Sequence, residues 1–229
     1  MSQVDLLKVN VNWQAHRIIQ SRFPPIDLFE SIVDADELEE AFFIESLTND
    51  RLREEVGDLA LVAKKDRICG PGTTSIMAAF THIGRASRFT NGDYGVYYAA
   101  NTTEAAIAET QYHQAKFLSA TNEVDTKLSM REYCGCVHLP LLDIRDEVSF
   151  STLYHLTDYS PAQAFAAQQR SNDENGVLYN SVRRVNSECI AAFKPIALSA
   201  VLQSKHFIYY YKHASQTIEQ VMEVRQVEL

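Results

Sequence analysis

The stretch from Gly84 to Leu118 constrains this chain more than any other part of it. Ser87-Arg88-Phe89 leads into a turn-rich Thr90-Asn91-Gly92-Asp93. Tyr94 to Ala100 is short and aromatic and reads as a strand. Asn101-Thr102-Thr103-Glu104 reads as a helix start: Asn101 can cap, and Glu104 stands three residues on, where a capping-box carboxylate reaches back. Ala105, Ala108, Tyr112 and Ala115 recur at helical spacing and mark the buried face. Glu109 lies beside that face. Small alanines let the helix approach its neighbour closely, and a carboxylate at the edge of such a face can look into a cleft.

A second landmark is Gly176 to Pro195. A Gly-Val-Leu-Tyr strand delivers Ser181 at its end, and Glu188 to Phe193 follows as a buried strand stopped by Lys194-Pro195. No Gly-x-Ser-x-Gly elbow surrounds Ser181, so a hydrolase triad has little support.

Elsewhere, Val9, Val11 and Trp13 alternate as in an edge strand, and Arg17 reads as an ordinary cation near a turn. An acidic first turn at Asp34-Ala35-Asp36-Glu37 opens a helical insert near 34–57. Leu59 to Val62 reads as a strand and Lys64-Lys65-Asp66-Arg67 as a solvated turn. Ser75 to Phe80 reads as a helical turn, Tyr133 to Leu139 as a strand, and Ser160-Pro161 as a helix start with proline at the first position. His206 to Tyr211 is strand-like, and 215–225 is a strand or a helix. Gly70-Pro71-Gly72-Thr73-Thr74 lacks the Gly-Lys-Ser/Thr ending of a phosphate-binding loop. With no repeat or linker, residues 1–229 read as one domain.

The formal net charge of -9 argues against a broad nucleic-acid-binding surface, which needs clustered Lys and Arg, but leaves room for a small cationic pocket. No apolar run is long enough to span a membrane and no signal peptide is evident, so a cytoplasmic protein is expected. Cys134-Gly135-Cys136 places two thiols on one face of a strand, and both are expected to be reduced. None of the seven histidines forms His-x-x-x-His or His-Glu-x-x-His, so no metal ligand is assigned.

Three separated motifs then agree in order. Ser87-Arg88-Phe89, Val96-Tyr97-Tyr98-Ala99 with Glu104-Ala105-Ala106-Ile107-Ala108-Glu109, and GVLYNSVR…CIAAFKP together resemble the RES domain, a family named for its Arg, Glu and Ser. Arg17-Ile18-Ile19 matches a further recurring position, so the resemblance runs from about Arg17 to Pro195. It implies an α+β fold similar to ADP-ribosyltransferases, with a mixed, split β-sheet core and flanking helices. It also implies a toxin-type enzyme that takes NAD as substrate, with no separate cofactor, and cleaves the nicotinamide–ribose bond. The partner it implies is a helix-turn-helix (Xre-type) antitoxin that covers the active-site entrance. A homodimer is the expected oligomer.

On this resemblance Glu109 is the catalytic carboxylate, working ionised against positive charge developing on the ribose. Arg17 and Arg88 bind the pyrophosphate. Tyr98 packs against nicotinamide or ribose, while Tyr97 points to the other sheet face. Ser181 bonds the ribose or nicotinamide side and orients Glu109. The acceptor stays open among water, phosphate and a protein side chain. The alternatives are an ADP-ribosyltransferase acting on a macromolecule and a non-catalytic partner-binding module.

Overall fold

The computed structural model describes residues 6–21 and 57–225. The helical insert expected near 34–57 lies, but for Gly57, outside the described residues. The described strands are β1 (Lys8–Val9), β2 (Ala15–Gln20), β3 (Tyr97–Ala100), β4 (Thr126–Gly135), β5 (Leu141–Asp143), β6 (Gly176–Asn180), β7 (Glu188–Ala192), β8 (Leu202–Lys212) and β9 (Thr217–Val224). They form one sheet in the order β1-β5-β6-β7-β3-β2-β4-β8-β9. Only β5 and β6 run parallel. Three α-helices accompany them among the described residues: α1 (Thr74–Thr81), α2 (Thr103–Ala120) and α3 (Ser160–Ser171). The α+β class and the mixed sheet with flanking helices are as the sequence led us to expect.

The sheet carries a core on each face, as the two-residue period of a strand requires. Tyr97 and Ala99 face α1, where they join Ile76, Met77 and Phe80. On the other face Ala100 packs with Ala105 and Ala106 of α2, Ala162 and Ala166 of α3, and Ile18, Val177 and Tyr179. Tyr98 lies against that second cluster. α1 sits very close to the chain entering β3: a Cβ at Gly95 would run into the Ala79 carbonyl oxygen and the Phe80 Cα.

The sheet is split between β2 and β3. β2 pairs with β4 along its whole length, from Ala15 opposite Gly135 to Gln20 opposite Met130. It meets β3 through the single pair His16–Ala100. Beyond that pair the strands part, and the Arg17 guanidinium bridges the gap, donating from Nη1 to the Tyr98 carbonyl at 3.1 Å. Arg17 is therefore a mid-strand residue rather than a cation near a turn.

Several local expectations shift. Thr102, not Asn101, caps α2, its hydroxyl accepting from the Ala105 amide at 3.1 Å. The Asn101 amide donates to the Glu188 carbonyl, which continues the β3–β7 ladder and delays the helix by one residue. Thr102→Ala should lower stability by about 1 kcal/mol, a fall of roughly 2–4 °C in melting temperature for a domain of this size. Leu59–Leu61 is a 3-10 turn and not a strand, because Asp58 accepts from the Ala60 amide and closes the chain locally. Arg67 is buried rather than solvated, its Nε donating to the Val62 carbonyl at 3.0 Å. Gly176 opens β6, as the Gly-Val-Leu-Tyr reading has it, and β4 begins seven residues before Tyr133. The segment left open at 215–225 holds strand β9.

Candidate active site

Where β2 and β3 part, a cavity of about 930 Å³ opens. That lies within the range of small-molecule sites. Its walls include Arg17, Arg88, Tyr98 and Glu109. Four of the five site residues named from the sequence thus meet in one cleft, although they come from β2, a loop, β3 and α2.

Glu109 is partly buried on α2. Its Oε1 accepts from the Ser181 hydroxyl at 2.6 Å. Ser181 follows the end of β6, and its Oγ also accepts from the amides of Arg183 and Arg184, both at 3.1 Å. With those amides on its lone pairs, the hydroxyl proton is directed at Glu109. This is the wiring of a positioning group, and it leaves Ser181 poorly placed as a nucleophile. Ser181 is not itself on the cavity wall; it stands behind Glu109. Burial pushes the Glu109 carboxyl above the ordinary glutamate range, against the pull of the Ser181 hydrogen bond and the charges of Arg183 and Arg88.

Arg88 is buried, and its Nη1 donates to the carbonyls of Leu153 and His155 at 2.8 and 3.0 Å. Its guanidinium lies 4.8 Å above the Tyr159 ring. Part of its fork therefore holds the 151–155 turn against the cleft, and the rest faces the cavity side. The Tyr98 hydroxyl is bonded to Ser87 Oγ at 2.7 Å and accepts from the Phe89 amide at 3.0 Å. Tyr98 thereby pins the loop that carries Arg88, while its ring contributes to the wall. Tyr97 points to the opposite face, as anticipated, and lies under Arg17 at 4.5 Å. Arg17 Nε is buried with no hydrogen-bond partner among the described residues. A buried donor left without an acceptor is costly, about 1–3 kcal/mol, and an anion in the split would satisfy it.

Sequence reasoning missed Arg183 and Cys189. Arg183 stacks on Tyr112 at 3.4 Å and bears on Glu109. It is two residues past Ser181, so its signal lay inside a motif already noticed. The Cys189 thiol lies 4.0 Å from Glu109 Oε1, and burial and that carboxylate drive its pKa far up, so it is an inert neighbour.

Residues 66–212, which hold four of the five site residues, match the RES domain. The chain belongs to the RES domain family. This RES chain is 28% identical over 208 residues to the uncharacterized protein y4oC of Sinorhizobium fredii (strain NBRC 101917 / NGR234), covering 89% of the chain and 85% of that protein. Against a chain of the M.tuberculosis MbcT-MbcA toxin-antitoxin complex it gives a TM-score of 0.45 at 12% identity, covering 91% of this chain and 89% of that one. No helix among the described residues is long and apolar enough to cross a membrane.

Proposed function

We propose that this RES chain is a toxin-type enzyme that cleaves the nicotinamide–ribose bond of NAD. One observation carries the reading. In a chain of net charge -9, the cavity wall presents Arg17, Arg85, Arg88 and Lys116 against a single carboxylate, Glu109. Such a cleft suits a ligand that joins a diphosphate to one electron-poor centre, and NAD is such a ligand.

The chemistry asks little proton transfer of the protein. The C–N bond to the ribose breaks, and its electron pair leaves with nicotinamide, which departs neutral. Positive charge grows on the ribose as an oxocarbenium-like state. The fixed Glu109 carboxylate stabilises that charge as it appears, which is binding of the transition state in preference to the substrate. An oxygen of water or of inorganic phosphate then bonds to the ribose carbon and gives up its proton to solvent. Arg17 and Arg88 hold the pyrophosphate, Tyr98 supplies a ring to the wall, and Ser181 keeps Glu109 in place. The exposed Ile83 and Phe117 on the cavity wall suit a protein cover such as a helix-turn-helix antitoxin.

The test is to incubate the purified chain with NAD, with and without phosphate, and identify products by mass spectrometry. Free nicotinamide with ADP-ribose, or with its phosphate ester, is expected. A mass added to a protein or nucleic acid would move the reading to an ADP-ribosyltransferase. NAD left intact under every condition would leave a binding module.

Activity should fall as pH drops through the Glu109 pKa, at a higher pH than an ordinary glutamate would set, since the reactive form is the ionised one. Ser181→Ala removes a hydrogen bond that lowers that pKa, so the acid limb should move to still higher pH. The rate on the plateau should drop roughly tenfold to a hundredfold, as for a hydrogen bond to a charged group. A pH–rate profile of the variant beside the wild type checks both.

A further inference from the structure

At the closed end of the split, where His16 and Ala100 form the last pair, three side chains converge that the proposed chemistry does not use. His16 and Cys134 are direct partners across β2 and β4, and Glu132 lies two residues from Cys134 on the same sheet face. His16 Nδ1 is 3.0 Å from Glu132 Oε1 and 3.5 Å from Cys134 Sγ. Thr103 Oγ1, in the first turn of α2, is 2.7 Å from the same Glu132 oxygen and 3.4 Å from the same ring nitrogen. The three potential ligand atoms all lie within 4.8 Å of one another.

This arrangement oversubscribes one atom. An imidazole nitrogen carries either a proton or a lone pair, so Nδ1 makes one good hydrogen bond and no more. A carboxylate, a thiol and a hydroxyl all approach it. A metal ion among the three would satisfy imidazole, carboxylate and sulfur together. Tetrahedral zinc, with bonds of about 2.0–2.3 Å, needs its ligand atoms roughly 3.3–3.8 Å apart. The observed 3.0 and 3.5 Å are within a small side-chain adjustment of that. The ligands stand on two strands in fixed register, which is rigid support for a site. Thr103 donates to the carboxylate from outside the ligand set, as second-shell partners of metal sites do. Glu132 has only 1% of its side chain exposed, and His16 lines the cleft, so the site has a buried back and an open front.

We propose that His16, Glu132 and Cys134 bind a zinc ion through Nδ1, a carboxylate oxygen and Sγ, with the fourth position open toward the cleft. Nitrogen, oxygen and sulfur together select a borderline-soft divalent ion over magnesium or calcium. The three ligands share no hydrogen bond with Glu109 or Ser181, and the site stands whether or not the chain consumes NAD.

The test uses the full chain, stripped with a chelator and titrated with cobalt(II) as a spectroscopic substitute for zinc. The wild type should give intense visible bands of a tetrahedral ion and a thiolate-to-cobalt charge-transfer band, saturating at one ion per chain and bleached by zinc. Cys134→Ser should lose the charge-transfer band, and Cys136→Ser should keep it. Zinc should raise the melting temperature of the wild type and of Cys136→Ser but not of Cys134→Ser. A wild-type chain that shows only the pale spectrum of hydrated cobalt overturns the proposal without any variant. A charge-transfer band that survives Cys134→Ser overturns it as well.

Discussion

Glu109→Gln is expected to slow nicotinamide release by roughly a hundredfold to a thousandfold, equivalent to about 2.7–4 kcal/mol of transition-state stabilisation. The substitution is nearly isosteric, and the amide oxygen can still accept from the Ser181 hydroxyl that now lies 2.6 Å from Oε1. What disappears is the negative charge, which matters only as the ribose becomes positive. The loss should therefore fall on kcat far more than on KM. The folded state should not suffer, because burial already works against the charged form of this carboxyl. Single-turnover kinetics beside a thermal melt separate the two effects. A fully active variant would place the charge stabilisation elsewhere and remove Glu109 from the mechanism.

The second large effect is one of stability. Gly95→Ala places a methyl group against Ala79 and Phe80, where it meets helix backbone and no flexible side-chain end can swing away. Either α1 must lift or the entry to β3 must move. Both carry cavity walls, since Ala79 and Tyr98 line the cleft. The expected loss is about 3 kcal/mol, the upper part of the usual overpacking range. For a domain of this size that is a fall of roughly 6–12 °C in melting temperature. Differential scanning calorimetry decides it. An unchanged transition would mean that α1 yields freely, contrary to its buried Ile76, Met77 and Phe80.

The meeting of Glu109 and Ser181 shows how far the sequence could be read. They are 72 residues apart, and neither periodicity nor spacing relates them. The RES motifs brought both onto one list, but only the packing of α2 across β2 and β3 sets Glu109 beside the residue that follows β6. The strands with plain alternation or buried runs, β3, β6 and β7, were legible because short-range physics fixes them. Leu59–Leu61 was not, because a single cap from Asp58 outweighs the strand preference of a four-residue apolar run. The start of α2 was misread by one residue because both Asn101 and Thr102 can cap, and the choice between them is made by Glu188 on a distant strand. The buried fate of Arg67 and the loop-clamping half of Arg88 were invisible for a similar reason: their acceptors are backbone carbonyls, which no side-chain pattern announces. The grouping of His16, Glu132 and Cys134 escaped a search for local histidine spacing because two strands, 116 residues apart at His16 and Glu132, assemble it.

The single pair joining β2 to β3 also has a mechanical meaning. On one side of it stand β1, β5, β6, β7 and β3, and on the other β2, β4, β8 and β9. The chain passes from the first group to the second along α2, which leaves β3 and leads to β4. Glu109 therefore rides on a helix that touches both half-sheets and packs mainly on the second, while Ser181 belongs to the first half and Arg17 to the second. Any relative rocking of the halves changes the distance between carboxylate and cation, and an occupant of the split acts as a tie bar between them. In the empty protein the halves should open to solvent independently, and with the split filled their slowest amides should exchange at a common rate.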